Sequence, residues 1–484
     1  LNEFATQAEQ LLTVSKKELL KITAGFENQL QALAGIKELN EAHLKLASIT
    51  LGEKSRIYYR KSLTTLRHTP TGLVKLSIDS VRGLQNSYAR LREMTGFVAD
   101  KVEAEENLTR FLADTEKHIE ALPADYRRLF DLDALNDKRF FMARDAEMAL
   151  LEHEFERWTN GKFSAVAVIG ERGCGMTTLL NFAEKQFYQG YPVIKINLLD
   201  GETMYTEEEL FYYLKSALVE TELKRHIETM NDLEDMINQV SEQKIFIVEN
   251  LQQLFVRTTF GFDALERFLL FISRTHKKIH WVLTCTIYSW EYFGKVIDID
   301  QYVQQKVVLD SLSKSDLKNI ITKRHKANGY QMFFKVSDEI ATSRRFKKLT
   351  TDQERQTYLQ NVFFEQLTKL AAGNITVAFL FWLRSYKDFS QDKLTVPATI
   401  EFDPSFLSEL STEELFTLAA LLQHDILNEE HHALIFHQDM QQSLLILNRM
   451  ANKGFLVHKS NGYQIHPFLY RGIVRVLKRS NIIH

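Results

Sequence analysis

The stretch "VAVIGERGCGMTTLLNF" at residues 166–182 constrains the fold more than any other part of the chain. A short apolar run comes first, a glycine-rich turn follows, and the text after the turn has the pattern of a helix. Closely spaced glycines let successive backbone N–H groups point at one anion, and the N-terminus of the next helix adds positive charge. The stretch therefore predicts a strand, a phosphate-binding loop and a helix in direct succession.

The loop departs from the common triphosphate-binding pattern G-x-x-x-x-G-K-[ST] at one position. Gly170 and Gly175 occupy the glycine positions and Thr177 supplies the hydroxyl, but Met176 stands where the lysine belongs. In that pattern the lysine reaches the β- and γ-phosphates and the hydroxyl holds Mg²⁺. The backbone cradle depends on the glycines and not on the lysine, so we expect the cradle to persist.

Five apolar runs alternate with helical text between residues 139 and 310. Runs of this kind, separated by helices, are typical of a parallel sheet that is buried on both faces. The region is predicted to be an α/β layer. The predicted strands cover residues 165–170, 192–197, 244–250, 279–286 and 305–309.

The flanking regions are predicted to be mostly helical. Residues 1–130 carry apolar stripes at helical spacing, which indicates a helical bundle or a coiled coil that binds a partner. The basic and aromatic segment 54–68 is either a solvated helix face or a grip on phosphates or an anionic membrane. Residues 311–387 are predicted to be helical, 387–405 to be a polar linker, and 405–484 to form three helices, a hairpin and a last helix, which describes a winged helix.

Three segments outside the loop resemble the P-loop ATPases of the AAA+ and STAND groups, most of all the origin-recognition and transposition-regulator type. They are "RFFMARDAEMALLEHEFERW", "VVLDSLSKSDLKNIITKRHKANGY" and "AAGNITVAFLFWLRS". The resemblance runs from about Arg139 to the C-terminus. It implies an α/β P-loop NTPase module with a parallel sheet and a helical lid, an all-α N-terminal region and a C-terminal winged helix. It also implies ATP or ADP with Mg²⁺ as the cofactor.

Several departures from that group concern hydrolysis. The strand "IFIVEN" ends in Glu249, which could ligate Mg²⁺, and Asn250, which cannot accept a proton from water. The arginine that the resemblance implies near Gly373 is absent, and Arg384 is a weak substitute three turns further on. Loss of one preorganised donor to a transition state costs about 2.7–4 kcal/mol. We therefore expect hydrolysis to be weak or absent. Binding suffers less, because the loop backbone, the helix dipole and Thr177 remain, and we expect a regulatory or scaffold module that binds nucleotide weakly or is nucleotide-free. The alternative is an active ATPase, DNA-associated or completing a shared site in an oligomer.

The predicted nucleotide site contains no catalytic residue. Thr177 and Glu249 are its predicted metal ligands, and the Arg172 head group is expected outside the phosphates. Cys174 is interpreted either as a thiol whose pKa is lowered at a helix N-terminus or as a residue chosen for its small size. The predicted cofactor-binding residues are Gly170, Arg172, Gly173, Gly175, Met176, Thr177, Thr178, Glu249 and Thr286.

Charge and composition bear on partners. The formal net charge is −3, which gives no whole-protein basic field for nucleic acid. The candidate recognition helix opens with Asp439 and has an apolar middle, so contact with a protein, or with the chain's own ATPase module as in STAND proteins, is favoured over DNA. The basic tail "YRGIVRVLKRS" leaves DNA as an alternative partner. The predicted partners are proteins, through the helical N-terminal region and the winged helix, in a homo- or hetero-oligomer.

Cysteine count and hydropathy bear on compartment. Two cysteines cannot build a disulfide framework, which suits a reducing cytosol. The sequence contains no run of about 18 apolar residues, which is the length that a transmembrane helix needs. We expect a cytoplasmic protein, tethered if the chain is a fragment of a longer one. The spacing of His424, His431, His432 and His437 matches no familiar zinc pattern.

Overall fold

The computed structural model describes residues 99–484, except 219–226, 241, 391–392 and 484, and describes side chains from Leu108 onward. The predictions for residues 1–98, including the coiled coil and the basic segment 54–68, lie outside the described residues. In the part of the chain that is described, no helix is long and apolar enough to cross a membrane.

A five-stranded parallel sheet forms the centre of the α/β layer, in the order β2-β3-β4-β1-β5. The register places Gly170 beside Thr286 and Asn197 beside Glu249 at the carboxyl edge of the sheet. All five predicted strands are confirmed within one residue. Their bounds are Ala165–Gly170 (β1), Val193–Asn197 (β2), Lys244–Glu249 (β3), Ile279–Thr286 (β4) and Gln305–Val308 (β5).

Helices cover both faces of this sheet, because alternate residues of the strands are apolar on each side. Every residue of β1 and β4 is buried. One face packs around Trp281 and Phe268, and the other around Val168 and Leu179. The helices are Asp145–Thr159 (α3), Met176–Phe187 (α4), Glu207–Leu218 (α5), Met230–Gln239 (α6), Asp263–Thr275 (α7) and Ile287–Val296 (α8).

Among the described residues, two α-helices precede the layer, and a helical lid follows it. Ala99–Glu120 (α1) and Ala124–Leu129 (α2) come before the layer. Trp382 lies at the centre of the lid core and donates a hydrogen bond to the Tyr126 hydroxyl, so α2 is joined to the lid. The lid helices are Lys314–Lys326 (α9), Asp338–Thr342 (α10), Arg344–Lys347 (α11), Asp352–Ala371 (α12) and Ile375–Arg384 (α13).

The prediction of a polar linker at residues 387–405 is wrong for its first half. Leu394 and Val396 alternate with more polar residues and are buried, which is the period of a strand with one face on a core. This segment joins a three-stranded sheet in the order β6-β8-β7 beside the lid helices. The strands are Gln331–Lys335 (β6), Asp388–Ser390 (β7) and Lys393–Pro397 (β8).

The C-terminal region has the predicted succession of three helices, a hairpin and a helix. A capping box of Ser411 and Glu414 fixes the start of the first helix. Residues 460–461 form the hairpin turn, and the hairpin pairs antiparallel. The elements are Thr412–His424 (α14), Glu429–Phe436 (α15), Met440–Asn452 (α16), Leu456–Lys459 (β9), Gly462–Ile465 (β10) and Tyr470–Arg479 (α17).

Candidate functional site at the glycine-rich loop

The glycine-rich loop joins the carboxyl end of β1 to the first turn of α4. Gly173 and Gly175 have φ of +76° and +100°, a region that side-chain-bearing residues rarely adopt. A Cβ at Gly175 would have no heavy atom within 4 Å, whereas one at Gly170 would lie 2.4 Å from the Cys174 Sγ. The space beside Gly175 is therefore open, whereas the backbone at Gly170 is tightly packed.

Met176 occupies the first position of α4 and is half-buried. Its side chain packs against the apolar cluster on one face of the sheet, which includes Val168 and Leu179. The flexible thioether chain fills this irregular position without a charge. No positive side chain is therefore supplied from the lysine position of the loop.

Thr177 and Glu249 lie side by side, as their predicted role as metal ligands requires. The exposed Thr177 hydroxyl donates a hydrogen bond to the Glu249 carboxylate. Burial raises the pKa of Glu249, and the hydrogen bond from Thr177 opposes that rise in part. A hydroxyl and a carboxylate are oxygen donors of the type that Mg²⁺ takes in nucleotide sites.

Asn250, which follows Glu249, lies in a network of neutral amides. Its side-chain amide donates to Asn197 Oδ1 at 2.8 Å, and the Gln252 amide donates to Asn250 Oδ1 at 3.2 Å. Its backbone N–H donates to the Thr284 hydroxyl at 2.9 Å. Asparagine tolerates the left-handed φ of +68° at this position. The position next to the metal-ligand pair thus holds no group that can take a proton at neutral pH.

Two other predicted site residues have their hydroxyls bonded within the protein. Thr286 is buried, caps α8 and contacts the Ser289 hydroxyl. The Thr178 hydroxyl accepts a hydrogen bond from the Leu135 N–H at 3.1 Å, so the segment that precedes α3 is tied to the start of α4.

The start of the lid helix α13 contacts the loop directly. The Asn374 amide donates to the Arg172 carbonyl at 2.8 Å, and the Thr376 N–H donates to the Gly173 carbonyl at 3.3 Å. A Cβ at Gly173 would meet the Thr376 side chain at 2.6 Å. The lid therefore holds the loop through neutral groups.

Arg384, the weak substitute for a lid arginine, faces another part of the molecule. Its Nε donates to the Thr115 hydroxyl at 2.6 Å, and its guanidinium lies 3.8 Å from the centre of the Phe111 ring. Burial lowers the pKa of this guanidinium. Arg384 thus joins α13 to α1 and does not contact the loop.

The winged helix binds the loop through ion pairs. Arg471 of α17 pairs with Glu171, which also accepts a hydrogen bond from the Tyr288 hydroxyl at 2.9 Å. Arg172 faces Asp425, at the end of α14, with an N–O distance of 3.6 Å. The Arg172 head group therefore points at the winged helix, and its position relative to bound phosphates stays a prediction.

Further contacts join the winged helix to the other strand ends. The Gln253 amide donates to the His424 carbonyl at 2.6 Å, and the Arg257 N–H donates to His424 Nε2 at 3.1 Å. The His424 ring stacks on Phe255 at 4.3 Å. In the hairpin turn, the Asn461 amide donates to the Leu199 and Gly201 carbonyls, both at 2.6 Å. The interpretation that the winged helix packs on its own α/β module is confirmed.

The buried histidines and Cys174 are surrounded by other groups of the protein, and within the described part of the chain they form no metal site or reactive thiol. Among the described residues, no group of three His, Cys, Asp or Glu side chains could hold a metal ion. His432 contacts the Thr417 and Ser443 hydroxyls. Burial raises the pKa of the Cys174 thiol to about 12, so the interpretation of a lowered thiol pKa is wrong and the small size of cysteine explains the position.

Sequence reasoning missed the residues with which the winged helix holds the loop. Glu171 and Arg471 are 300 positions apart, and no local pattern links residues at that separation. The one sequence feature that pointed to them was the basic tail, which had only left DNA as an alternative partner. Arg471 of that tail is instead used inside the molecule.

No protein-family model and no curated protein matches the sequence. Solved structures are similar to this chain at low identity. The ORC2 protein of Aeropyrum pernix in ADPNP-ADP complexes is 13% identical with a TM-score of 0.36, over 74% of this chain and 98% of that chain. Cdc6p from Pyrobaculum aerophilum is 15% identical with a TM-score of 0.34, over 73% and 98%. The RuvB Holliday junction branch migration motor of Thermotoga maritima is 15% identical with a TM-score of 0.28, over 69% and 95%.

The strand order and the glycine-rich loop after β1, which lies between β4 and β5, define the fold. Residues 165–308 form a P-loop α/β module with a parallel sheet, and a helical lid and a winged helix follow it. The likenesses to solved structures are too distant to bear on activity, ligand or partner.

Proposed function

We propose that this chain, built on the AAA+ P-loop fold, is a regulatory or scaffold module that binds ATP or ADP with Mg²⁺ weakly and hydrolyses ATP little or not at all. The observation that carries the proposal is the composition of the loop surroundings. The space beside Gly175 is open, while Met176 occupies the lysine position of the loop and is half-buried, and Asn250 occupies the position of the general base.

The residues present are better suited to binding the phosphates of a nucleotide than to cleaving the terminal phosphate of ATP. The N–H groups of the loop and of the first turn of α4 would hold phosphate oxygens, and Thr177 and Glu249 would hold Mg²⁺. A bound Mg²⁺ supplies neutralisation of phosphate charge. This chain adds orientation through the lid contacts at Arg172 and Gly173. The amide of Asn250, which follows Glu249, cannot accept a proton from water.

We also propose that this module acts by binding a partner protein. The winged helix makes ion pairs with the loop side chains Glu171 and Arg172, so phosphate binding and winged-helix position share the same segment. The exposed middle of α16 is apolar at Leu445, which is 71% exposed, and this favours a protein contact over a DNA groove. A homo- or hetero-oligomer in the cytoplasm fits this proposal.

A titration of fluorescent ADP, with and without Mg²⁺, tests the binding half of the proposal. We expect weak binding that Mg²⁺ strengthens, and loss of the Mg²⁺ effect in Thr177→Ala. Thr412→Ala removes an exposed threonine from the first turn of α14 and is the matched control, which should bind as the wild type does. Binding that is identical in both variants, with the same response to Mg²⁺, would contradict the assignment of Thr177.

A second candidate function is an active ATPase, alone or completing a shared site in an oligomer. The observation that favours it is the retained pair of Thr177 and Glu249. It predicts a steady turnover of ATP that Glu249→Gln abolishes.

A further inference from the structure

An open groove lies between α1, α2 and α13, away from the loop, with a volume of about 450 Å³. Its walls are apolar at Phe130, Leu380 and Leu383, which are all buried. Leu132, at its margin, is 45% exposed. The exposed lining of the groove is mostly apolar, and Leu132 extends this surface at its margin.

Two arginines of α2, Arg127 and Arg128, line the same groove. Among the described residues, no carboxylate forms an ion pair with either of them, and the Arg127 Nε is buried without a hydrogen-bond partner. An unpaired buried donor is destabilising, so a ligand that supplied an acceptor would recover this free energy. The lining acid, Asp131, has one carboxylate oxygen bonded to the Asp133 N–H.

The groove walls are held in place before any ligand binds. Phe130 packs edge-on against Phe379 at 5.4 Å and close to Tyr126 at 5.2 Å. The Phe130 N–H bonds to the Arg127 carbonyl and closes α2. A preorganised apolar surface loses little conformational entropy on binding, which favours affinity.

We propose that this groove docks an acidic amphipathic helix of a partner protein, whose leucine-type side chains enter the apolar floor and whose carboxylates meet Arg127 and Arg128. The inference rests on the proposed scaffold function and names the chemistry of its partner. The groove is open to solvent and not enclosed, so it suits one face of a helix better than a lipid chain, which a site normally buries on all sides. Two cations beside an apolar floor do not form the extended basic track that a nucleic acid requires.

The test uses two fluorescein-labelled 16-residue peptides and the full chain without nucleotide. Both peptides carry leucines at helical spacing, and the remaining positions are glutamate in one and lysine in the other. We expect the glutamate peptide to bind and the lysine peptide not to bind. Arg127→Glu/Arg128→Glu should weaken binding of the glutamate peptide by about tenfold or more, which corresponds to about 1.4 kcal/mol, and should create binding of the lysine peptide.

A control variant separates local charge from net charge. Arg344→Glu/Arg345→Glu reverses two exposed arginines on α11 and changes the net charge by the same amount. Like the wild type, this variant should bind the glutamate peptide and should not bind the lysine peptide. Leu132→Asp, at an exposed position, should also weaken binding of the glutamate peptide without affecting the fold.

Three results would overturn the proposal. One is that neither peptide binds at millimolar concentration, and another is that the α2 and α11 double variants behave alike. The third is that labelled dodecanoate binds with the same dependence on both arginines while the peptide does not bind, since the occupant would then be a lipid. Because the measurement contains no nucleotide, none of these results bears on the phosphate cradle.

Discussion

At the scale of single residues, Met176 separates the phosphate cradle from a complete triphosphate site. Met176→Lys should strengthen ADP binding by about tenfold to a hundredfold, because a charged hydrogen bond contributes about 1.5–3 kcal/mol. The variant should still not turn ATP over, since Asn250 and the lid residues are unchanged. Calorimetric titration and phosphate release measure the two effects.

Met176→Gln is the matched control for this substitution, with similar length and no charge. It should leave ADP affinity close to that of the wild type. If Met176→Lys alone gave steady hydrolysis, the lysine would be the one missing part, against the view that several parts are absent.

Gly373, at the junction of sheet and lid, provides a second prediction at this scale. It has a φ of +79°, and an added Cβ would lie 2.6 Å from the Ser311 Cβ and 2.7 Å from the Leu312 backbone. Gly373→Ala should cost about 1–2 kcal/mol of backbone strain and a further 1–3 kcal/mol of overpacking. The change in free energy of unfolding is measured by urea denaturation.

Gly329 is the matched control for Gly373. It has a φ of +76°, but an added Cβ would have no heavy atom within 4 Å. Gly329→Ala should therefore cost the backbone strain alone. Equal losses of stability in the two variants would contradict the close contact that the structure shows between lid and sheet.

At the scale of elements, the packing of α14 on the strand ends depends on a neutral His424. Burial lowers the pKa of His424 to about 3. The unfolded chain takes up a proton below its ordinary pKa of 6.5, whereas the folded chain does not until about pH 3. The stabilising contribution is therefore complete above pH 6.5 and is lost as pH falls from 6.5 toward 3, by about 1.4 kcal/mol per pH unit.

His424→Gln should remove one proton from the pH dependence of unfolding between pH 6.5 and 5. Denaturation at several pH values measures this slope for wild type and variant. His458→Gln, at an exposed position on β9, is the control and should change the slope less. An unchanged slope in His424→Gln would show that His424 does not titrate on unfolding.

The elements differ in how far the sequence determines them. The strands of the central sheet could be predicted because continuous β-branched runs have few alternatives, and the approach of Thr177 to Glu249 follows because parallel strands end at one edge. Strand β8 was missed because "KLTVP" is short and polar on one face, and its partner β6 lies some 60 positions earlier. The ion pair of Glu171 with Arg471 could not be predicted, since it depends on how two distant units pack.

At the scale of the whole molecule, the carboxyl edge of the sheet is covered by groups of the chain itself. The lid contacts the loop backbone through Asn374, and the winged helix contacts the loop side chains through Arg471 and Asp425. These contacts hold the loop in place, which suits a module that reports binding to its neighbours. They bring no additional charged donor toward the position of a terminal phosphate.

The central claim is that the anion cradle persists without the side chains that cleave a terminal phosphate. Phosphate release from saturating ATP and Mg²⁺, measured on the purified wild type beside Glu249→Gln, tests it most directly. The account predicts that the two rates are nearly the same and close to the background without protein. A wild-type turnover well above that of Glu249→Gln would contradict it.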